Sequence, residues 1–161
     1  MEKKELTDKQ LTIKAETYCA SAERCPSDVE AKLAQWGADE DVAAAVMKHL
    51  FDNRYLDAER YCRFFVRDKY RFNQWGRNKI VQALKLKRMS AADINAALEE
   101  INEEEYNTIL RKILAQKKKS IKARNDYELN TKLIRFAIGR GFTMGEVLRF
   151  VKDTDIDEFA E

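Results

Sequence analysis

Apolar residues recur along this chain at i, i+3, i+4 and i+7, the spacing of an amphipathic helix. No segment of useful length alternates apolar and polar residues at period two. The pattern predicts helices over 10–23, 27–36, 40–53, 57–72, 77–88, 91–101, 104–119, 125–140 and 144–152. Several begin on capping signals: Ser27 with Glu30, Asp57 with Arg60, Ser90 with Asp93, and Thr143 with Glu146. A small polar side chain at the N-cap accepts from an orphan amide, and an acid three residues on suits the positive helix end. Asp57 supplies only the first half of that signal.

Nine short helices invite a search for repetition. "AETYCASAE" at 15–23 aligns with "AERYCRFFV" at 58–66, and "IVQALKLKRMSAADINAAL" at 80–98 with "LIRFAIGRGFTMGEVLRFV" at 133–151. The first part of the chain follows the same plan in "VEAKLAQWGADEDVAAAVMKHL", with a loop read as one residue shorter. The expected fold is all-α. After an N-terminal extension at 1–9 come three tandem three-helix repeats, at 10–56, 57–103 and 104–154, and then an acidic tail at 155–161, expected to fray. Each repeat is too small to bury a core alone, so neighbours should stack into an elongated, curved array.

Composition agrees: five Gly and one Pro in 161 residues are too few for a turn-rich β protein. The three cysteines, Cys19, Cys25 and Cys62, are odd in number and lack CxxC spacing, which fits free thiols in a reducing, cytoplasmic setting. No apolar run approaches the ~20 residues that span a bilayer, so no membrane association is expected.

Charge changes the picture more. The formal net charge is only +2, yet residues 60–88 carry ten Lys or Arg against one acid, Asp68. Residues 111–124 carry seven and no acid. On a helical wheel, Arg60, Arg63, Arg67 and Arg71 fall within one stripe of about 80°. Ala58, Tyr61, Cys62, Phe65, Val66 and Phe72 fall on the opposite, core-facing side, while Phe64 and Tyr70 flank the stripe as exposed aromatics. Arg77, Lys79, Lys85, Lys87 and Arg88 continue the positive charge on the next helix. A second run sets Lys117, Lys118, Lys119, Lys122 and Arg124 outside Ile113 and Leu114. Two readings compete for both runs: an ordinary solvated face, or a surface for an anionic partner. A solvated face normally interleaves acids as i,i+4 pairs, and the first run offers only Asp68 for them.

Catalytic signals are absent. His49 is the single histidine and sits in an apolar context. The cysteines and this histidine make no zinc set and no nucleophile–base pair. "GRGFTMG" at 139–145 follows no strand and lacks the phosphate-loop lysine, so a helix-ending turn explains it better. "NEEEY" at 102–106 is accounted for by the helix dipole. Neither enzymatic activity nor a metal or cofactor is expected.

The stretch "RYLDAERYCRFFVRDKYRFNQWGRNKIVQALKLKRMS" resembles the central signature of the RecX family, bacterial regulators of the RecA recombinase. Leu56, Asp57, Glu59, Tyr61, Phe65, Val66 and Arg67 fit its first helix; Gly76, Arg77 and Ile80 fit the junction; Leu84, Lys87 and Ser90 fit the second helix. "PSDVEAKLAQWG" is similar to the family's upstream segment, and the resemblance spans about 10–154. Arg88 stands where the family usually has Gly, Cys62 replaces a common Ala, and Cys25-Pro26 precedes the first repeat's cap. The resemblance implies three tandem three-helix repeats. It also implies a monomeric regulator that binds the RecA filament on single-stranded DNA and inhibits its ATPase, strand-exchange and coprotease activities. DNA contact would be weak or indirect, through the basic residues named above. A stand-alone DNA-binding helical module, acting by competition for DNA, is the alternative.

Overall fold

The computed structural model describes residues 5–151. Residues 1–4 and 152–161, which include the acidic tail and the end of the third expected repeat, lie outside the described residues. Every regular element among the described residues is an α-helix. They run α1 Asp8–Ser21, α2 Pro26–Gln35, α3 Glu40–Asp52, α4 Ala58–Arg71, α5 Arg77–Leu86, α6 Ala91–Glu99, α7 Glu103–Ser120, α8 Asp126–Gly139 and α9 Met144–Leu148. They form three consecutive triplets, α1–α3, α4–α6 and α7–α9.

The helix starts are fixed locally. Thr7, Asp39, Asp57, Ser90, Asn102, Asn125 and Thr143 each accept the amide three residues on, and Thr7 and Thr143 complete capping boxes with Gln10 and Glu146. Ser27 does not cap. Pro26 takes the first helical position, where a missing amide is no loss, so α2 starts one residue early from Cys25. The Ser27 hydroxyl instead donates to the Lys87 carbonyl at 3.0 Å.

The turn from second to third helix is the same in every triplet. Trp36, Lys87 and Arg140 are C-caps, and Gly37, Arg88 and Gly141 follow at φ 92°, 64° and 100°. Asp39, Ser90 and Thr143 then cap the third helix. The first triplet's loop is therefore no shorter than the others. Asp39 does there what Ser and Thr do elsewhere, which hides the equivalence in sequence. In each turn the next amide reaches back to close the helix end: Ala38 to Leu33, Met89 to Leu84, and Phe142 to Ala137, at 3.0–3.1 Å. Arg88 holds this left-handed conformation without being glycine, at a cost of about 1–2 kcal/mol.

Burial divides the molecule unevenly. The first triplet has its own core of Ala15, Cys19, Val29, Leu33, Val46, Met47 and Leu50, closed by Leu56. The second and third share one continuous core that includes Tyr61, Phe65, Ile80, Leu84, Tyr106, Leu110, Phe142 and Val147. Between these two triplets the backbones nearly touch. The Gly76 amide donates to the Arg140 carbonyl at 2.8 Å and the Asn78 amide to the Gly141 carbonyl at 2.9 Å. A β-carbon on Gly76 would lie 2.2 Å from the Phe142 nitrogen and 2.3 Å from the Gly141 carbonyl carbon.

Two expectations follow for stability. Gly76→Ala should lose about 3 kcal/mol, because backbone cannot yield as a side chain does. Gly139→Ala, at a helical site with nothing within 4 Å, should gain about 0.5–1 kcal/mol. Urea midpoints check both. Stability should also fall in alkali. Burial pushes the Cys62 thiol from 9.0 up to about 11 and raises the Tyr61 and Tyr106 phenols. The folded state thus holds these protons more tightly than the unfolded one. That contribution is complete below about pH 9 and is lost as pH rises to about 11 and beyond. A denaturant midpoint unchanged between pH 8 and pH 11 would contradict it.

Candidate interaction surface

The arginine stripe of α4 is real, but most of it is already engaged. Arg60 binds Glu23 of the first triplet at 2.7 Å and also donates to the carbonyls of Arg54 and Tyr55. Arg63 binds Glu59 at 2.8 Å and lies 3.9 Å from Glu100. Arg71 makes a two-pronged pair with Glu105 of the third triplet, at 2.7 and 3.1 Å. Lys87 reaches Asp28 at 3.4 Å, and Arg124 binds Glu128 at 2.8 Å, alongside Lys132. Exposed pairs of this kind contribute little to stability. They do remove net field from the surface.

Arg77 is the clearest reassignment. It pairs with both Glu103 and Glu146, and its guanidinium lies 4.2 Å from the centre of the Tyr106 ring. The Tyr106 hydroxyl donates to Glu146 at 3.1 Å and accepts from the Arg77 amide at 3.0 Å. Glu146 also takes the Thr143 amide at 2.8 Å. Burial lifts the Tyr106 phenol above its usual range, and the Glu146 carboxylate beside it adds to this. The side chain expected to face a phosphate is thus the tie between α5, α7 and α9.

The two aromatic assignments near the end of α4 reverse. Tyr70, expected at the exposed flank, is 3% exposed, because α7 covers that side and Tyr106 meets it edge-on at 6.2 Å. Phe72, expected inside, is 80% exposed: it follows the last helical residue, Arg71, so the wheel no longer places it. Phe64 is exposed, as expected.

What remains is a smaller set of cations with no acid partner among the described residues. Arg67, Lys79, Lys85 and Arg88 lie on the second triplet, and Lys117, Lys118, Lys119 and Lys122 at the end of α7 and just beyond it. Lys79 sits 4.6 Å from the Trp75 ring, with Lys69 at 5.0 Å, and Lys117 sits 5.0 Å from Phe136. The three lysines from 117 also complement the negative end of α7. Sequence reasoning missed Trp75, whose ring lies near two ammonium groups. It also missed Glu103, Glu105 and Glu146 as partners for distant arginines, since opposite charges in adjacent repeats were the only available signal.

No group of three His, Cys, Asp or Glu able to hold a metal occurs among the described residues. No described helix is long and apolar enough to cross a membrane. His49 bonds Glu16 at 2.9 Å and stacks on Tyr55.

Comparison with known proteins places these features in one family. Residues 57–98 match the model for the RecX second three-helix domain and residues 103–151 that for the third. The regulatory protein RecX of Clostridium botulinum (strain Alaska E43) is 32% identical over 97% of this chain and 76% of its own length. The regulatory protein RecX of Clostridium perfringens (strain 13) is 34% identical over 69% of this chain, which spans 52% of that relative's length. In fold, the crystal structure of RecX from Lactobacillus salivarius superposes with a TM-score of 0.75 at 20% identity, covering 95% of this chain and 96% of that one.

The division of the basic residues predicts two classes of variant. Arg77→Ala should cost about 3–5 kcal/mol by stranding Glu146 in the core. Arg67→Ala should leave stability within about 0.5 kcal/mol. If a polyanion is bound, Arg67→Ala should also lower the slope of log affinity against log salt by about one. Thermal melts and a salt titration of oligonucleotide binding test the pair.

Proposed function

The chain belongs to the RecX family, and from that premise we propose that it binds the RecA recombinase and its filament on single-stranded DNA and inhibits the filament's recombinase, ATPase and coprotease activities. It would thereby regulate DNA repair and the SOS response. The observation that carries the reading to particular residues is the set of cations left without acid partners. Arg67, Lys79, Lys85 and Arg88 supply a positive field on the second triplet, and Lys117, Lys118, Lys119 and Lys122 extend it onto the third. A filament on DNA offers phosphates and acidic protein surface to such a field, and long-range attraction speeds encounter. Arg60, Arg63, Arg71, Arg77, Lys87 and Arg124 add less to this field, since their charge is already met by glutamate or aspartate. The role proposed is that of a regulator.

A RecA ATPase titration over a fixed amount of single-stranded DNA tests the proposal. Inhibition is expected well below one copy per RecA, together with capture of RecA in the absence of DNA. Arg67→Glu combined with Lys85→Glu should raise the inhibiting concentration at least about tenfold, the effect of ~1.4 kcal/mol of lost contact, with the melting temperature unchanged. Inhibition that appears only when the protein coats the strand, with no capture of RecA alone, would instead identify a competitor for DNA.

A further inference from the structure

Beside the interlocked backbones of the second and third triplets lies a cavity of about 430 Å³. Ile113 of α7 and Phe136 of α8 give it an apolar wall, and Gln74, Gln116, Lys117 and Arg140 supply polar groups. Among the described residues no acid lines it. Two of these groups are fixed by the joint itself. The Arg140 carbonyl accepts the Gly76 amide at 2.8 Å, and Gln74 stands two residues before that glycine. Gln74 is left-handed, at φ 58°, where glycine is the easier residue, so the chain keeps an amide side chain at a place that disfavours one.

Arg140 is poorly satisfied where it stands. A guanidinium has five N–H donors, and the described residues take one, from Nη2 to the Gln74 side-chain oxygen at 3.2 Å. Its Nε is the one buried side-chain nitrogen or oxygen among the described residues that lacks a partner, an exception that calls for a physical reason. Lys117 shares the same ring: its ammonium lies 5.0 Å from the centre of Phe136, and the Arg140 guanidinium 5.6 Å. Neither cation has an acid partner among the described residues, and the amide nitrogens of Gln74 and Gln116 donate to none of them. Both cations stand at helix C-termini, whose dipole amounts to about half a charge each. The end of α7 already faces Lys118 and Lys119 as well, so positive charge is left over. Water can fill the free donors, but the two cations go on repelling each other. An anion removes both costs.

We propose that this cavity binds a phosphate group, with Arg140 and Lys117 meeting its charge and the amides of Gln74 and Gln116 donating to its oxygens. A guanidinium offers paired N–H groups at the spacing of two phosphate oxygens, and an ammonium adds a point charge. The phosphate can be carried by a single strand or by a free molecule, and the chemistry that recognises it is the same. The site goes beyond the regulatory role above, because its groups come from this chain alone and need no recombinase to assemble them.

Phosphorus NMR of inorganic phosphate, titrated with the full chain at constant ionic strength, tests the site. A shift that saturates at one phosphate per chain is expected. Arg140→Gln and Lys117→Gln should each raise the dissociation constant at least about tenfold, as loss of one charge-assisted contact does. Lys117 lies on the outer side of α7, so its variant stays informative even if Arg140→Gln fails to fold, which circular dichroism reports. Lys48→Gln, on the first triplet and far from the cavity in sequence, should change nothing. A second arm measures a single-stranded oligonucleotide with the same variants. Loss in both arms assigns the site to the phosphate of a strand, and loss with inorganic phosphate alone assigns it to a free phosphorylated molecule. A shift that never saturates, or phosphate binding unchanged in Lys117→Gln and in folded Arg140→Gln, would overturn the proposal.

Discussion

An arginine taken largely out of water needs more than one partner, and Arg77 has three. Glu146 and Glu103 share its charge, and the face of Tyr106 covers it. Tyr106 in turn has both hydroxyl valences used, one by Glu146 and one by the Arg77 amide. A network satisfied at every member specifies one arrangement, because any shift leaves a buried charge uncompensated. Here that arrangement sets α5 against α7 and α9. It also brings Gly76 and Gly141 to a separation only glycine permits, and the shared core closes around them.

This constraint explains how positive charge is distributed between structure and surface. A repeat array whose units meet through helix ends brings the acidic starts of some helices near the basic runs of others. Glu103 and Glu105 lie in the first turn of α7, where the dipole favours them, and the same position lets them reach Arg77 and Arg71. One set of acids therefore serves its own helix and the neighbouring triplet. The cations beyond their reach are those at which a field survives.

Most of the helices could be read from periodicity, and most of their starts from single capping residues, because both depend on neighbours a few positions away. The tandem organisation showed in the turn-and-cap pattern, whereas the match of Tyr18 to Tyr61 was out of phase: counted from the helix caps, Leu11 holds the place of Tyr61 and Tyr106. What stayed hidden depended on distant contacts or on helix ends. Arg77 reads as a surface charge until Glu146, sixty-nine residues later, is brought beside it. Tyr70 and Phe72 exchanged places because α7 covers one and α4 stops before the other. Ser27 looked like a cap, yet Pro26 had already fixed the helix start and freed its hydroxyl for Lys87.

The two joints of the array differ in kind. Between the second and third triplets, glycine backbones interlock above a common core, so the pair forms a stiff block. Between the first and second, the link is a hydroxyl and a thiol on one carbonyl, with salt bridges at Glu23–Arg60 and Asp28–Lys87 beside them. Beside these polar bonds, Cys25 of the first triplet is buried in the core of the second, so one small apolar side chain pins the joint. The chain is thus built like an arm with one interlocked joint and one more lightly pinned.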